Sequence, residues 1–211
     1  FLLIILNTVF TLNSAYFRVS KVEVLGNNEI FDEADLIKPA LGQSIWLVNN
    51  DTFSDNMLET LTIESVIISK EYPNKITIEL NEYDKIMTIT DLRGSVPKKS
   101  TLYKNMIEIE SDDIFLIPSL TITNGPVPTG FNGEMVSLIM TLKSYNLDVN
   151  SFNFTYNGDS FIGDYRSTII DFGKPLDLGS KSSALGSLIE NSDCQGEIRF
   201  ISKEDLIANC S

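Results

Sequence analysis

Val22 and Val24 alternate with Lys21 and Glu23, the period-two pattern of a strand with one buried face, and Gly26-Asn27-Asn28 closes it with turn chemistry. A helix is predicted next. Asp32 stands as its N-cap, Asp35 three residues on approximates a capping box, and Phe31 with Leu36 occupies the flanking staple positions. Pro39 and Gly42 end it. Beyond the apolar run Ile45-Trp46-Leu47-Val48, a second helix is predicted over 52–61, capped by Asp51, with Phe53, Met57, Leu58 and Leu61 on its apolar face. Residues 65–71 read as a strand and Tyr72-Pro73-Asn74-Lys75 as a turn. In the strand that follows, 76–82, Ile76, Ile78 and Leu80 alternate against Thr77, Glu79 and Asn81. The order β-α-α-β-β predicts a three-stranded sheet covered on one face by two helices.

From residue 84 onward strands dominate. Ile86 to Thr90 and Val96 flank Asp91-Leu92-Arg93-Gly94, a hairpin signal, and 103–110 reads as one alternating strand through Met106 or Ile107 and Ile109. Ile117-Pro118 opens a loop running through Gly125-Pro126-Val127-Pro128. Met135, Leu138, Ile139 and Leu142 have helical spacing within a segment from about 132 to 145. Phe152, Phe154 and Tyr156 alternate, Asn157-Gly158 is a strong two-residue hairpin signal, and strands follow near 160–164 and 167–172. A helix between Leu178 and Glu190 and a strand from Glu197 to Ile201 complete the series. The fold class is α+β.

The chain opens FLLIILNTVFTLNSAYF, apolar without a break from Phe1 to Leu6 and continued by Val9, Phe10, Leu12, Tyr16 and Phe17. Spanning a bilayer takes about 20 predominantly apolar residues. Residues 1–17 are therefore expected to be the outer half of a transmembrane helix that begins upstream, with Tyr16 and Phe17 at the interface belt. A signal-peptide apolar region or a buried helix is the competing assignment, and Asn13-Ser14-Ala15 is a loose match to a cleavage site. Arg18 and Lys21 lie just beyond the segment and oppose an outward orientation, so an outward-facing domain calls for more basic residues upstream.

Charge and composition narrow the function. Across 211 residues, 16 Lys and Arg face 29 Asp and Glu, a net charge of -13 with no basic run, which excludes most nucleic-acid binders. The absence of histidine removes the commonest general base and metal ligand, and with it nucleophile-His-acid hydrolases and His-containing metal sites. Glu108, Glu110 and Asp112 share one face of an extended strand beside Asp113, as a hard-cation or glycosidase site requires. No Gly-centred calcium loop accompanies them, and a solvated face is the expected reading. Ser69-Lys70, Lys99-Ser100, Lys143-Ser144 and the Ser180–Ser183 run around Lys181 offer serine–lysine pairs without a defining spacing. No phosphate loop of P-loop or Rossmann type is present. Binding without catalysis, metal or cofactor is the expectation. Cys194 and Cys210 either close a disulfide that ties the tail back over the last strand, as an extracytoplasmic location permits, or stand as two free thiols.

The string VEVLGNNEI before a capped helix, then LGQSIWLV, then IISKEYPNKITIELNE, resembles the POTRA module of the FtsQ/DivIB bacterial cell-division proteins. Gly26, Asn27, Gly42, Tyr72, Pro73, Asn74, Ile76, Ile78 and Glu82 fit that pattern in order, and each also serves as a turn or core residue. TIIDFGKPLDLGSKSSALGSLIE is similar to the family's β-domain at Leu178, Gly179, Lys181, Leu185 and Leu188, and GEIRFIS to its C-terminal strand. The stretch 84–131 departs from the pattern.

The resemblance implies the end of a transmembrane helix (1–17), a POTRA module (18–83), a β-domain (84–193) and a C-terminal strand and tail (194–211). It further implies a single-pass protein of the cell membrane, extracytoplasmic beyond its anchor and located at the division septum. There it acts as a non-enzymatic scaffold linked to septal cell-wall synthesis, with coiled-coil division proteins of the FtsB/DivIC and FtsL type as partners. In the family an exposed strand edge in the C-terminal part accepts a partner strand, which falls here on Glu197, Ile198, Arg199, Phe200 and Ile201. The alternative is a POTRA component of a secretion or outer-membrane assembly machine, for which repeated modules or a barrel are expected.

Overall fold

A computed structural model of the chain describes residues 3, 14–26, 33–113, 115–191 and 194–210. They divide into two compact units, Phe1–Tyr83 and Asp84–Ser211. The predicted transmembrane segment, Phe31 and Asp32 lie outside the described residues, apart from Leu3 and residues 14–17. Among the described residues no helix is long and apolar enough to cross a membrane.

In the first unit, β1 (Lys21–Leu25), α1 (Glu33–Ile37), α2 (Asn50–Leu58), β2 (Ile63–Glu71) and β3 (Lys75–Glu82) follow in order. The sheet order is β1-β3-β2, with β3 parallel to β1 and antiparallel to β2. β3 is central because its period-two stripe is the most apolar: Ile76, Ile78 and Leu80 are buried beside Leu36, Ile45, Val48 and Met57. The opposite face is charged. There Lys75 bridges Glu23 of β1 at 3.0 Å and Glu71 of β2 at 2.8 Å.

The predicted second helix needs correcting. It starts at Asn50 and stops at Leu58, because the Asn49 side chain, not that of Asp51, accepts the first free N–H, that of Asp51. Leu58 and Leu61 face water and Met57 is buried, while the side chain of Phe53 lies outside the described residues.

The second unit is a nine-stranded sheet. Its elements are β4 (Lys85–Asp91), β5 (Lys98–Tyr103), β6 (Glu108–Glu110), β7 (Ser119–Ile122), α3 (Phe131–Ser144), β8 (Phe152–Tyr156), β9 (Phe161–Tyr165), β10 (Thr168–Asp171), α4 (Leu178–Asn191), β11 (Gly196–Phe200) and β12 (Leu206–Cys210). The sheet order is β12-β11-β10-β9-β8-β7-β4-β5-β6. The stretch predicted as one strand over 103–110 is broken: Met106 takes φ 67° in a turn, and β6 folds back antiparallel on β5.

Two pairs in this sheet, β7 with β8 and β10 with β11, are parallel neighbours joined by a helix. β8 and β10 also run the same way, each being antiparallel to β9. Both crossovers therefore step in one direction from strands of one orientation, and the right-handed rule puts α3 and α4 on the same face. That face holds the core, in which Phe154, Phe161, Phe172 and Phe200 form a chain of ring contacts at 5.2, 5.5 and 5.4 Å toward β11. A fully buried Phe contributes about 1.5–3 kcal/mol relative to an exposed one.

The helices approach closely through glycine. A Cβ on Gly186 of α4 would lie 2.5 Å from Cγ and Cδ2 of Tyr145 at the end of α3.

Candidate partner-binding edge

β11 lies inside the sheet. It pairs in parallel with β10 (Ile170 opposite Ile198) and antiparallel with β12 (Ile198 opposite Ala208). The segment after Ile201, predicted as a tail, is therefore the outermost strand, and the open edge belongs to Leu206–Cys210. In the connection, Ser202 Oγ accepts from the Asp205 N–H and the Ile201 and Ser202 N–H groups donate to the Asp205 carbonyl. This Ser-Lys-Glu-Asp turn is the signal in the sequence that marks a hairpin.

The ladder sets which groups are open. Ile201 N–H bonds the Asp205 carbonyl at 3.0 Å, and antiparallel pairs alternate between bonded and non-bonded positions. Ile207 and Asn209 thus direct their main-chain groups to β11, while Leu206, Ala208 and Cys210 direct theirs to the open side. Two devices hold the strand there. A disulfide joins Cys194, just before β11, to Cys210 at the end of β12, and Thr168 Oγ1 donates to the Cys194 carbonyl at 2.6 Å, fixing that residue to the start of β10. Gly196 adopts φ 142° over the Asn209 carbonyl, leaving no room for a Cβ.

Side chains divide by face. Ile198 and Phe200 are buried, with the Phe200 ring stacked on Phe172. Both side chains are turned into the core, on a strand that lies one position inside the edge where the sequence reading expects the partner. Glu197 and Arg199 point to solvent, with Arg199 3.0 Å from Glu197 and 3.4 Å from Asp171. Ile169 stands opposite Glu197 and Ile207 opposite Arg199, so the same exposed face carries two isoleucines that are each more than half exposed; Ile201 is exposed at the strand end.

Residues 17–83 match the POTRA domain of FtsQ type. The Clostridium acetobutylicum protein named cell division protein DivIB is 23% identical over 179 residues, covering 79% of this chain and 71% of the relative. Both matches support the FtsQ/DivIB family.

The other candidate chemistry of this chain is occupied or dispersed. Lys181 is buried on α4 and its amine donates to the carbonyls of Phe172 (2.6 Å) and Lys174 (2.9 Å), so it clamps the loop ahead of the helix. Burial pushes its pKa below the usual amine value. Among the described residues no three His, Cys, Asp or Glu side chains converge on a metal-sized site. Glu108 accepts from Ser100, and Asp113 from Ser111.

A cleft of about 400 Å³ is lined by Asp91, Arg93, Glu108, Val127, Phe131 and Asn132, among others. Its guanidinium is engaged: Nε and Nη2 of Arg93 donate to the Asp91 carboxylate and Nη1 to the Gly125 carbonyl. Hydrogen bonds from Arg93 lower the Asp91 pKa to about 2.

Proposed function

We propose that this protein is a non-enzymatic, extracytoplasmic scaffold of the bacterial cell-division machinery, held in the cell membrane by its N-terminal apolar segment and located at the septum. Its partners are coiled-coil division proteins of the FtsB/DivIC and FtsL type, through which it links to septal cell-wall synthesis. The observation that carries this reading is the open edge of β12, rigidly held, in a chain whose matches support the FtsQ/DivIB family. A partner strand laid along it gains main-chain hydrogen bonds from Leu206, Ala208 and Cys210. Glu197, Arg199, Ile201 and Ile207 supply side-chain discrimination on the exposed face. The disulfide fits an extracytoplasmic location, and a relative named for cell division fits the process.

Proline at 208 removes an outward N–H without touching the bonds that join β12 to β11. In a pull-down from host membranes, Ala208→Pro is expected to lose the small coiled-coil proteins while keeping its disulfide and circular dichroism spectrum. Recovery equal to the unmodified chain would defeat the edge reading. Arg199→Glu tests the exposed face independently, and weaker recovery with it indicates an acidic partner.

A further inference from the structure

The first unit carries a run of aromatic rings at one end of its sheet. Lys21 and Lys75 pair at the start of the parallel strands β1 and β3, and Glu71, the end of β2, lies opposite Lys75. Two loops close over this end. The 42–45 loop is pinned by bonds from Val19 N–H to the Gln43 carbonyl, Gly42 N–H to the Val19 carbonyl and Ile45 N–H to the Phe17 carbonyl. The 72–74 turn is pinned because the Ser20 and Lys21 N–H groups both donate to the Asn74 carbonyl. As a result Tyr16, Phe17, Trp46 and Tyr72 make successive ring contacts at 5.1, 5.7 and 4.5 Å.

These rings are not core. Val19, Ile45 and Val48 close the interior at this end, whereas Trp46 is 45% exposed, Tyr72 55%, and Tyr16 and Leu47 67% each. Folding alone gives no reason to keep a Trp, two Tyr and a Leu together in water. An apolar body with a polar tip is the composition of a membrane–water interface. The position agrees: Leu12, within the apolar segment expected to end at Phe17, is four residues from Tyr16, a reach of roughly 14 Å at most. Arg18 and Lys21 are exposed where the chain enters β1, with Lys21 3.9 Å from Glu23, so in a chain whose net charge is -13 this end offers cations, Arg18 foremost, to anionic headgroups.

We propose that Tyr16, Trp46, Leu47 and Tyr72 seat this end of the POTRA module in the headgroup layer of the membrane that holds residues 1–12, which fixes the module's tilt against that surface. The inference rests on the membrane-anchored reading above. Trp46 is the protein's only tryptophan, so its fluorescence reports on the site alone. The full chain is reconstituted in phosphatidylcholine/phosphatidylglycerol vesicles whose acyl chains carry bromine at a shallow or a deep position, floated on a density gradient, and titrated with aqueous iodide.

Co-flotation, stronger quenching by shallow than by deep bromine, and protection from iodide are the expected results, with Leu47→Asp restoring iodide access. Flotation with Trp46 open to iodide and untouched by bromine overturns this proposal and leaves the anchor standing. Flotation with protection from both quenchers assigns the rings to a protein contact and also overturns it. Failure to float overturns the anchored reading and the proposal together.

Discussion

Replacing both Cys194 and Cys210 by Ser should release β12 locally before the rest of the second unit responds. The two cysteines are 16 residues apart, and closing a loop of that length constrains the opened chain by about 3 kcal/mol at 25 °C in the loop-entropy estimate. β12 has little else to hold it. It pairs with a single strand, and of its residues only Leu206 is half-buried while Ile207, Ala208, Asn209 and Cys210 are exposed. Three kcal/mol corresponds to roughly a hundredfold larger open population of the strand.

Native-state hydrogen exchange reads this directly. The Ile207 and Asn209 amides should lose protection by about that factor in the double variant, while Phe154 and Ile170 in the core strands keep theirs. Unchanged protection at Ile207 and Asn209 would falsify the assignment of the disulfide as the clamp. An equal loss at all four amides would show that β12 is part of the global unfolding unit instead.

Gly186→Ala sets a helix-propensity gain of about 1 kcal/mol against overpacking on the Tyr145 ring, worth about 1–3 kcal/mol. A net loss of about 1 kcal/mol is expected by urea denaturation, restored in part by Tyr145→Leu. Asp91→Asn should cost about 1 kcal/mol at neutral pH, after discounting for the pair's partial exposure. Because the folded pKa of Asp91 is depressed to about 2, that contribution is full above pH 4 and fades as pH falls toward 2, so the two proteins' acid-denaturation curves should converge there. Lys181→Met leaves the Phe172 and Lys174 carbonyls without their donor and should destabilise by about 2–4 kcal/mol. The folded Lys181 amine binds its proton less tightly than the unfolded one, so the unfolded state carries more protons between the two pKa values. Thermal scans should therefore show unmodified stability rising with pH just below the usual amine pKa, a slope absent from the Met variant.

Strands with one buried face were legible in the sequence. Ile76-Ile78-Leu80 and Phe152-Phe154-Tyr156 alternate because each packs on a core through every second residue. The helices over 131–144 and 178–191 were legible for the corresponding reason at helical spacing. β12 was not, because LIANC is exposed at all but its first position and an edge strand paired on one side needs no apolar period. Missing it moved the expected edge one strand inward, onto a strand whose alternate residues Ile198 and Phe200 are core. The break at Met106 was hidden for a different reason: apolar residues on either side of a tight turn mimic one continuous strand.

The two margins of the nine-stranded sheet are chemically unlike. At one, β6 is three residues long and presents Glu108 and Glu110, both exposed; so short and acidic a margin is poor at templating another chain. At the other, β12 is five residues long and among the described residues has no strand outside it. Strand addition is therefore favoured at one margin, and head-to-tail pairing of β6 with β12, which would extend copies of the chain into an open ribbon, is disfavoured. A strand added at β12 would carry the open margin outward with it, so the guest itself has to supply the stop, through a charge, a proline or a turn on its far side. A guest that carries such a stop adds one strand per chain, and a guest without one leaves a margin open to the next.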